Sequence, residues 1–173
     1  MLSMDGLREA GAEFAPADDP RGFRMALGAF ATGVTVVTAM ADGGPVGITA
    51  NSFTSVSLDP PLVLWCPALA SRRYAAFAAA QDFAIHVLSA DQQTMADGFT
   101  RATQAFDDFD WAPDAAGVPL IAGVAARFRC RLHALHPAGD HAIILGQVLS
   151  AMRTGHAPLV FHGGRFGGFG DPR

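Results

Sequence analysis

The sequence predicts one mainly β domain with flanking helices, an antiparallel barrel or sandwich rather than a doubly wound sheet. Three observations carry this. Short runs of β-branched and aliphatic residues recur along the chain, and turn signals join them, as at Ala-Asp-Gly-Gly 41–44 and Pro-Ala-Gly-Asp 137–140. Helical spacing is confined to three short segments. No GxGxxG stands between a strand and a helix, so the usual dinucleotide fingerprint is missing.

Residues 1–18 read as a flexible N-terminal tail, rich in Ala, Gly and acids and weakly periodic. Residues 19–173 then read as a single domain, with no internal repeat and no linker. Asp19 and Pro20 suit a helix start, Phe23, Leu27 and Phe30 repeat at helical spacing, and Gly33 fits a stop, so a helix is expected from about residue 20 to 30. Residues 33–40 and 45–52 read as a strand pair. Ser55–Leu58 and 61–67 read as further strands, interrupted at Asp59-Pro60-Pro61 because proline cannot serve a central ladder. A helix is expected over 71–80 with Ser71 as N-cap, a strand over 82–89, and a helix over 91–100 capped by Asp91. Residues 101–119 form a long excursion with two prolines, a length that points to a functional or covering loop. Two long strands joined through 137–140 follow, then a short strand and a glycine-rich tail.

Composition bounds the function. Half of the 173 residues are hydrophobic and only 16% are charged, which suggests that a partner subunit covers some surface. A net charge of -4 argues against a nucleic-acid partner. No apolar run reaches membrane-spanning length and no secretory h-region opens the chain, so a soluble, cytoplasmic protein without a membrane partner is expected. Cys66 and Cys130 lie in apolar segments and call for no disulfide, and no CxxC or His-rich spacing suggests a metal.

The stretch GITANSFTSVSLDPPLVLWCP, residues 47–67, carries one charge, Asp59, with five hydroxyls around one amide, Asn51. Short neutral donors and acceptors suit the edge of a flat polar ring, and an amide can both give and take hydrogen bonds there. A phosphate would be met by Ser71, Arg72 and Arg73 where a helix begins. Hydroxyls are equally at home on exposed strand faces, and Ser71 also suits a plain cap, so composition alone leaves both readings open. Among the six histidines, His86 lies in an apolar strand and fits a satisfied core residue. His133 and His136 near a hairpin end fit solvated positions, and His156 and His162 have no evident partner. His141 follows Gly139-Asp140 at a strand mouth, where it could bond a ligand, move a proton, or simply bond Asp140.

FATGVTVVT (30–38), the stretch 47–67, SRRYAAF (71–77), FAIHVL (83–88) and GDHAIILGQV (139–148) stand in an order and at separations that resemble the short-chain flavin reductase family. These are the reductase components of two-component flavin-dependent monooxygenases. The resemblance spans roughly residues 20 to 166. It implies an FMN-binding split barrel, a six-stranded antiparallel Greek-key barrel working as a homodimer. It also implies reduction of FMN or FAD by NADH or NADPH, with the reduced flavin passing to a monooxygenase. The same fold also hosts non-catalytic flavin- or haem-binding proteins, which form the alternative.

Carried over by position, the resemblance implies that Thr32, Gly33 and Val34 line the isoalloxazine, and that Thr49, Ala50, Asn51 and Ser52 meet its edge and the ribityl chain. Ser55, Val56 and Ser57 continue toward the phosphate, with Cys66, Ser71, Arg72 and Arg73 on the phosphate side. His141 is the implied catalytic residue beside the nicotinamide, and Phe166 an aromatic cover for it. The chain departs from the family at 101–111, where Gln104 and Ala105 precede Phe106, and in the loose glycines of 163–168. Hydride transfer between two flat rings needs stacking more than an acid–base pair, so no indispensable general base is expected.

Overall fold

The computed structural model describes residues 13–101 and 105–169. In chain order its elements are α1 (Pro20–Gly28), β1 (Thr32–Gly33), β2 (Thr35–Ala41), β3 (Gly44–Ala50), β4 (Thr54–Leu58), β5 (Pro61–Trp65), α2 (Tyr74–Ala79), β6 (Asp82–Val87) and α3 (Gln93–Arg101). After a 3-10 turn at Ala105–Asp108 come β7 (Trp111–Pro113), β8 (Pro119–Ile121), β9 (Ala126–Ala138), β10 (His141–Arg153), β11 (Leu159–His162) and β12 (Arg165–Gly168). No helix among the described residues is long and apolar enough to cross a membrane.

The protein is mainly β. Seven strands form one antiparallel sheet in the order β3-β2-β6-β9-β10-β5-β4, β1 joins β11 and β12 in a second sheet, and β7 pairs with β8. The strand count differs from the six expected, and β3 and β4 remain as the sheet's two edges instead of closing a ladder. The two edge strands are consecutive in the chain, and a side chain fixes the segment between them. The Ser52 hydroxyl accepts from the Cys66 backbone N–H at 2.9 Å and lies 3.4 Å from the Cys66 carbonyl. The β3–β4 connection is thereby tied to the end of β5.

Hydrophobic side chains pack on both faces of β2. One cluster joins Val37, Trp65, Phe77, Phe83 and Ile144, with Trp65 edge-on to Phe77 at 5.0 Å. The other joins Val34, Leu88, Met95, Phe99 and Phe106, with Phe99 and Phe106 centroids 4.9 Å apart. Burying each such side chain contributes about 1.5–3 kcal/mol. The second cluster fixes α3 on β3, because the Phe99 ring lies against Gly47, where a Cβ would collide with it.

Several local expectations are corrected by longer-range bonds. The helix expected over 71–80 is the six-residue α2, preceded by a turn in which Tyr74 N–H donates to the Ser71 carbonyl. Ser71 therefore is not its N-cap; its hydroxyl accepts from Arg73 N–H at 3.3 Å. Asp91 accepts from the Ser89 hydroxyl at 2.6 Å instead of capping α3. The long excursion carries the β7–β8 ladder, held to the main sheet by Asp114 against Arg129. Burial opposes ionisation of Asp114, but Arg129 and the N–H groups of Val118 and Ala116 hold its carboxyl below the usual range. The expected C-terminal tail is a hairpin, β11–β12, turning at Gly163-Gly164. Of the expected N-terminal tail, residues 1–12 lie outside the described residues, as does Gln104.

Candidate functional site

A cleft of about 410 Å³ opens where β3 leaves the sheet, β5 ends and the β9–β10 turn arrives. Its lining includes Thr49, Ala50, Asn51, Ser52, Cys66 and His141. Six of the sequence-selected residues, drawn from three separate segments, thus share one concavity. Ile48, Trp65 and Ala68 complete the wall and escaped the sequence reading. Trp65 was recognisable only as an apolar strand residue.

Each wall is fixed from behind. Thr49 donates through its hydroxyl to the Ala96 carbonyl of α3 at 2.7 Å, and Thr35 donates to the Ala50 carbonyl at 2.6 Å. Ser52 is committed to Cys66 as described. Two of the hydroxyls selected as ligand contacts therefore hold the wall in place. The Gly139-Asp140 turn is tied to the end of β5 by Leu69 N–H to the Asp140 carbonyl (2.9 Å) and Ala142 N–H to the Pro67 carbonyl (3.0 Å). This places His141 opposite Ala68. The imidazole Nδ1 sits 2.7 Å from Asp140 Oδ1, and that bond, then the imidazole charge, lowers the Asp140 carboxyl from its ordinary value. Nε2 of His141 has no bonded partner among the described residues.

The cleft is electrically quiet. Among the described residues no carboxylate or guanidinium lines it, and burial raises the Cys66 thiol above its usual range. The exposed Asn51 amide and the outer edge of β3, which pairs only with β2, leave neutral donors and acceptors at its rim. The Trp65 indole N–H is buried without a partner. A flat, polar, uncharged ring system fits this set: it matches the cleft's scale and the neutral edge groups.

Other selected residues do not line the cleft. Val34 is buried in the core, its N–H donates to the Leu159 carbonyl and its carbonyl accepts from Leu88 N–H, so it has no free group to offer. Thr32 and Gly33 pair with β11, and Phe166 packs on Phe161 at 5.2 Å in the same small sheet. Ser55, Val56 and Ser57 lie along the edge strand β4, at a register shift. Arg72 is exposed, but Arg73 is buried: it donates to the Phe99 carbonyl at 2.5 Å and the Thr100 carbonyl at 3.4 Å. Its guanidinium closes the last turn of α3 and faces no solvent-borne phosphate. Among the other histidines, His133, His136 and His162 are exposed, and His156 does find a partner, the Gly123 carbonyl at 3.0 Å.

Fold, order of motifs and neutral cleft converge on one class. A flavin reductase-like domain model matches residues 27–170, and the chain belongs to that family. It is 59% identical over 152 residues to an FMN reductase (NADH) of Agrobacterium fabrum, covering 88% of this chain and 87% of that protein. It is 42% identical over 161 residues to the reductase subunit of a flavin-dependent monooxygenase of Rhodococcus jostii, covering 91% and 82%. Among solved structures, the NADH:FAD oxidoreductase of Streptomyces globisporus, in complex with NAD and FAD fragments, is 42% identical with a TM-score of 0.86, covering 92% of this chain and 98% of that one.

Proposed function

We propose that the protein is an NADH-dependent flavin reductase that reduces FMN or FAD and supplies the reduced flavin to a partner monooxygenase. The observation that carries this is the neutral cleft, in which Asn51, the edge of β3, Cys66 and His141 converge. The flavin, when bound, supplies the ring that takes two electrons and a proton from reduced nicotinamide. The chain's task is placement. Thr49 and Ser52 hold the wall rigid, the Asn51 amide and the β3 edge meet polar ring atoms, and His141 presents Nε2 to orient a second ring or relay a proton.

The same proposal includes a split-barrel homodimer. In the single chain α1 buries no residue, and Leu27 and Phe30 are 58% and 76% exposed, with Leu149 and Met152 of β10 also open. A second copy covering these side chains accounts for an exposed apolar stripe that a lone chain would leave in water. Two free cysteines and a nicotinamide co-substrate suit a reducing cytoplasm.

The test is steady-state oxidation of NADH and NADPH with FMN, FAD and riboflavin as acceptors. Flavin-dependent turnover with NADH is expected. Bound flavin without turnover would instead place the chain among the non-catalytic binders.

A further inference from the structure

We propose that Trp65 is a flavin-binding residue whose indole N–H donates a hydrogen bond to an acceptor atom of the isoalloxazine ring. This rests on the flavin reductase reading for the identity of the ring. Trp65 ends β5, where the sheet gives way to the cleft, and it is 1% exposed. Every other residue of the cleft lining is at least partly open to solvent, so Trp65 is the floor of the concavity. Ile48 and Ala50 line the same cleft and pack against the hydrophobic cluster to which Trp65 belongs, so that cluster ends at the floor.

Three features separate this indole from a plain core aromatic. First, its Nε1 is buried without a hydrogen-bond partner, one of two such side-chain atoms among the described residues. The other, Thr32 Oγ1, belongs to the small β1–β11–β12 sheet and lines no part of the cleft. Second, the ring is held in place. It stands edge-on to Phe77 at 5.0 Å and tilted against Phe83 at 6.4 Å, so it does not swing out to find water. Third, an indole nitrogen only donates, so what it lacks is an acceptor, and none of the described residues supplies one. Folding has already stripped this donor of water, an unfavourable step that a ligand does not repeat on binding. An acceptor that reaches it therefore gains more than it would at an exposed, hydrated donor.

Ring atoms and phosphate oxygens both accept hydrogen bonds, and the lining favours the ring. Among the described residues no cation faces the floor, so a phosphate there would be desolvated with nothing to balance its charge. A neutral carbonyl or ring nitrogen carries no such penalty, and it matches the neutral Asn51 amide at the rim.

The experiment compares wild type with Trp65→Phe, which keeps an aromatic ring in the cluster and deletes the donor. Isothermal titration with riboflavin and with FMN, in the absence of NADH, reads binding apart from turnover. A dissociation constant about tenfold higher in the variant, by the same factor for both ligands, is expected. The urea midpoint of the ligand-free variant should change little, because the smaller ring loses packing but removes an unpaired buried donor. A second measurement leaves position 65 intact. The chain has two tryptophans, so Trp111→Phe assigns their indole N–H signals in nitrogen-15 NMR spectra. Saturating wild type with riboflavin should move the Trp65 signal downfield, as donation to an acceptor does. Equal affinity in the variant, or a Trp65 signal that stays in place in flavin-saturated wild type, overturns the proposal. A loss of affinity for FMN with none for riboflavin also overturns it, by giving the N–H to the phosphate. Wild type that binds neither flavin would sink the flavin reductase reading and this assignment with it, whereas the other failures leave that reading standing.

Discussion

His86 lies wholly buried in β6 with both ring nitrogens bonded, whereas His141 stands at the mouth of β10 with one nitrogen bonded and one free. Nδ1 of His86 donates to the Val36 carbonyl at 3.0 Å, and its Nε2 accepts from Ile121 N–H at 3.1 Å. The ring is therefore neutral and clamps the β7–β8 hairpin to the sheet. His141, with a side chain 44% exposed, spends Nδ1 on Asp140 and keeps Nε2 for the cleft. The same side chain thus serves as a fixed strut in one place and as an adjustable contact in the other. Its surroundings decide which: a low dielectric forbids the imidazolium at His86, whereas His141 stands at the cleft with a ring nitrogen unspent.

The sharpest way to break this comparison is His86→Leu. The substitution keeps the apolar volume but leaves the Ile121 N–H buried without its partner, at about 1–3 kcal/mol, and removes the imidazole bond from the Val36 carbonyl, which still faces β6 in the ladder. A stability loss of about 2–4 kcal/mol is expected in urea unfolding, with flavin reduction surviving in the fraction that folds. A loss below about 1 kcal/mol would show that the clamp is ornamental. The pH profile of wild type tests the same point. Burial, and then the charge of Arg127, push the His86 imidazole down to about 3, while the Val36 bond partly offsets them. Between that value and the ordinary imidazole range near 6.5, the unfolded chain binds a proton that the folded chain refuses. Stability from this residue is therefore complete above about pH 6.5 and declines as pH falls toward 3, by at most about 1.4 kcal/mol per unit. His86→Leu should flatten that slope, and an unchanged slope would assign it to other groups.

Next in size is Ser52→Ala, which probes the wall on the His141 side. The hydroxyl serves the Cys66 backbone from the segment between the sheet's two edge strands. Its removal should cost about 1–2 kcal/mol of stability and weaken flavin binding more than it slows turnover. Equal affinity in the variant would mean that the wall holds its shape through Thr49 and the β2 ladder alone.

How much of this was legible in the sequence follows from the range of the interactions involved. The β-branched runs, the turns and the burial of His86 were readable because neighbours along the chain determine them. The gathering of 49–52, Cys66 and His141 was readable only through the resemblance, since nothing local joins positions so far apart in sequence. Arg73 was misread because its partners, the carbonyls of Phe99 and Thr100, lie at the end of a helix more than two dozen positions away. The short α2 was misread for a related reason: alanine-rich sequence favours helix, but Ser71 is drawn into a turn by Tyr74 and the helix begins three residues late. The Ser52 bridge had no sequence signal beyond its hydroxyl.

The smallest effects should come from the pair at the cleft, and they sharpen the comparison most. His141→Ala should reduce turnover about tenfold while flavin still binds, because Nε2 positions a ring or proton and carries none of the fold. The melting temperature should hold, in contrast to His86→Leu. Asp140→Asn is subtler. The carboxylate accepts only, so it fixes the hydrogen on Nδ1 and leaves Nε2 an acceptor. An amide can donate to Nδ1 instead, which moves the hydrogen to Nε2 and reverses what the cleft sees. A drop in turnover of about two- to threefold, smaller than that of His141→Ala, is expected from this mixture of tautomers. Turnover equal to wild type would reduce the Asp140–His141 bond to a feature of the turn. A loss as deep as that of His141→Ala would show that the imidazole works only in the tautomer Asp140 imposes, with Asp140 the residue that sets the direction of the hydrogen bond His141 offers to the cleft.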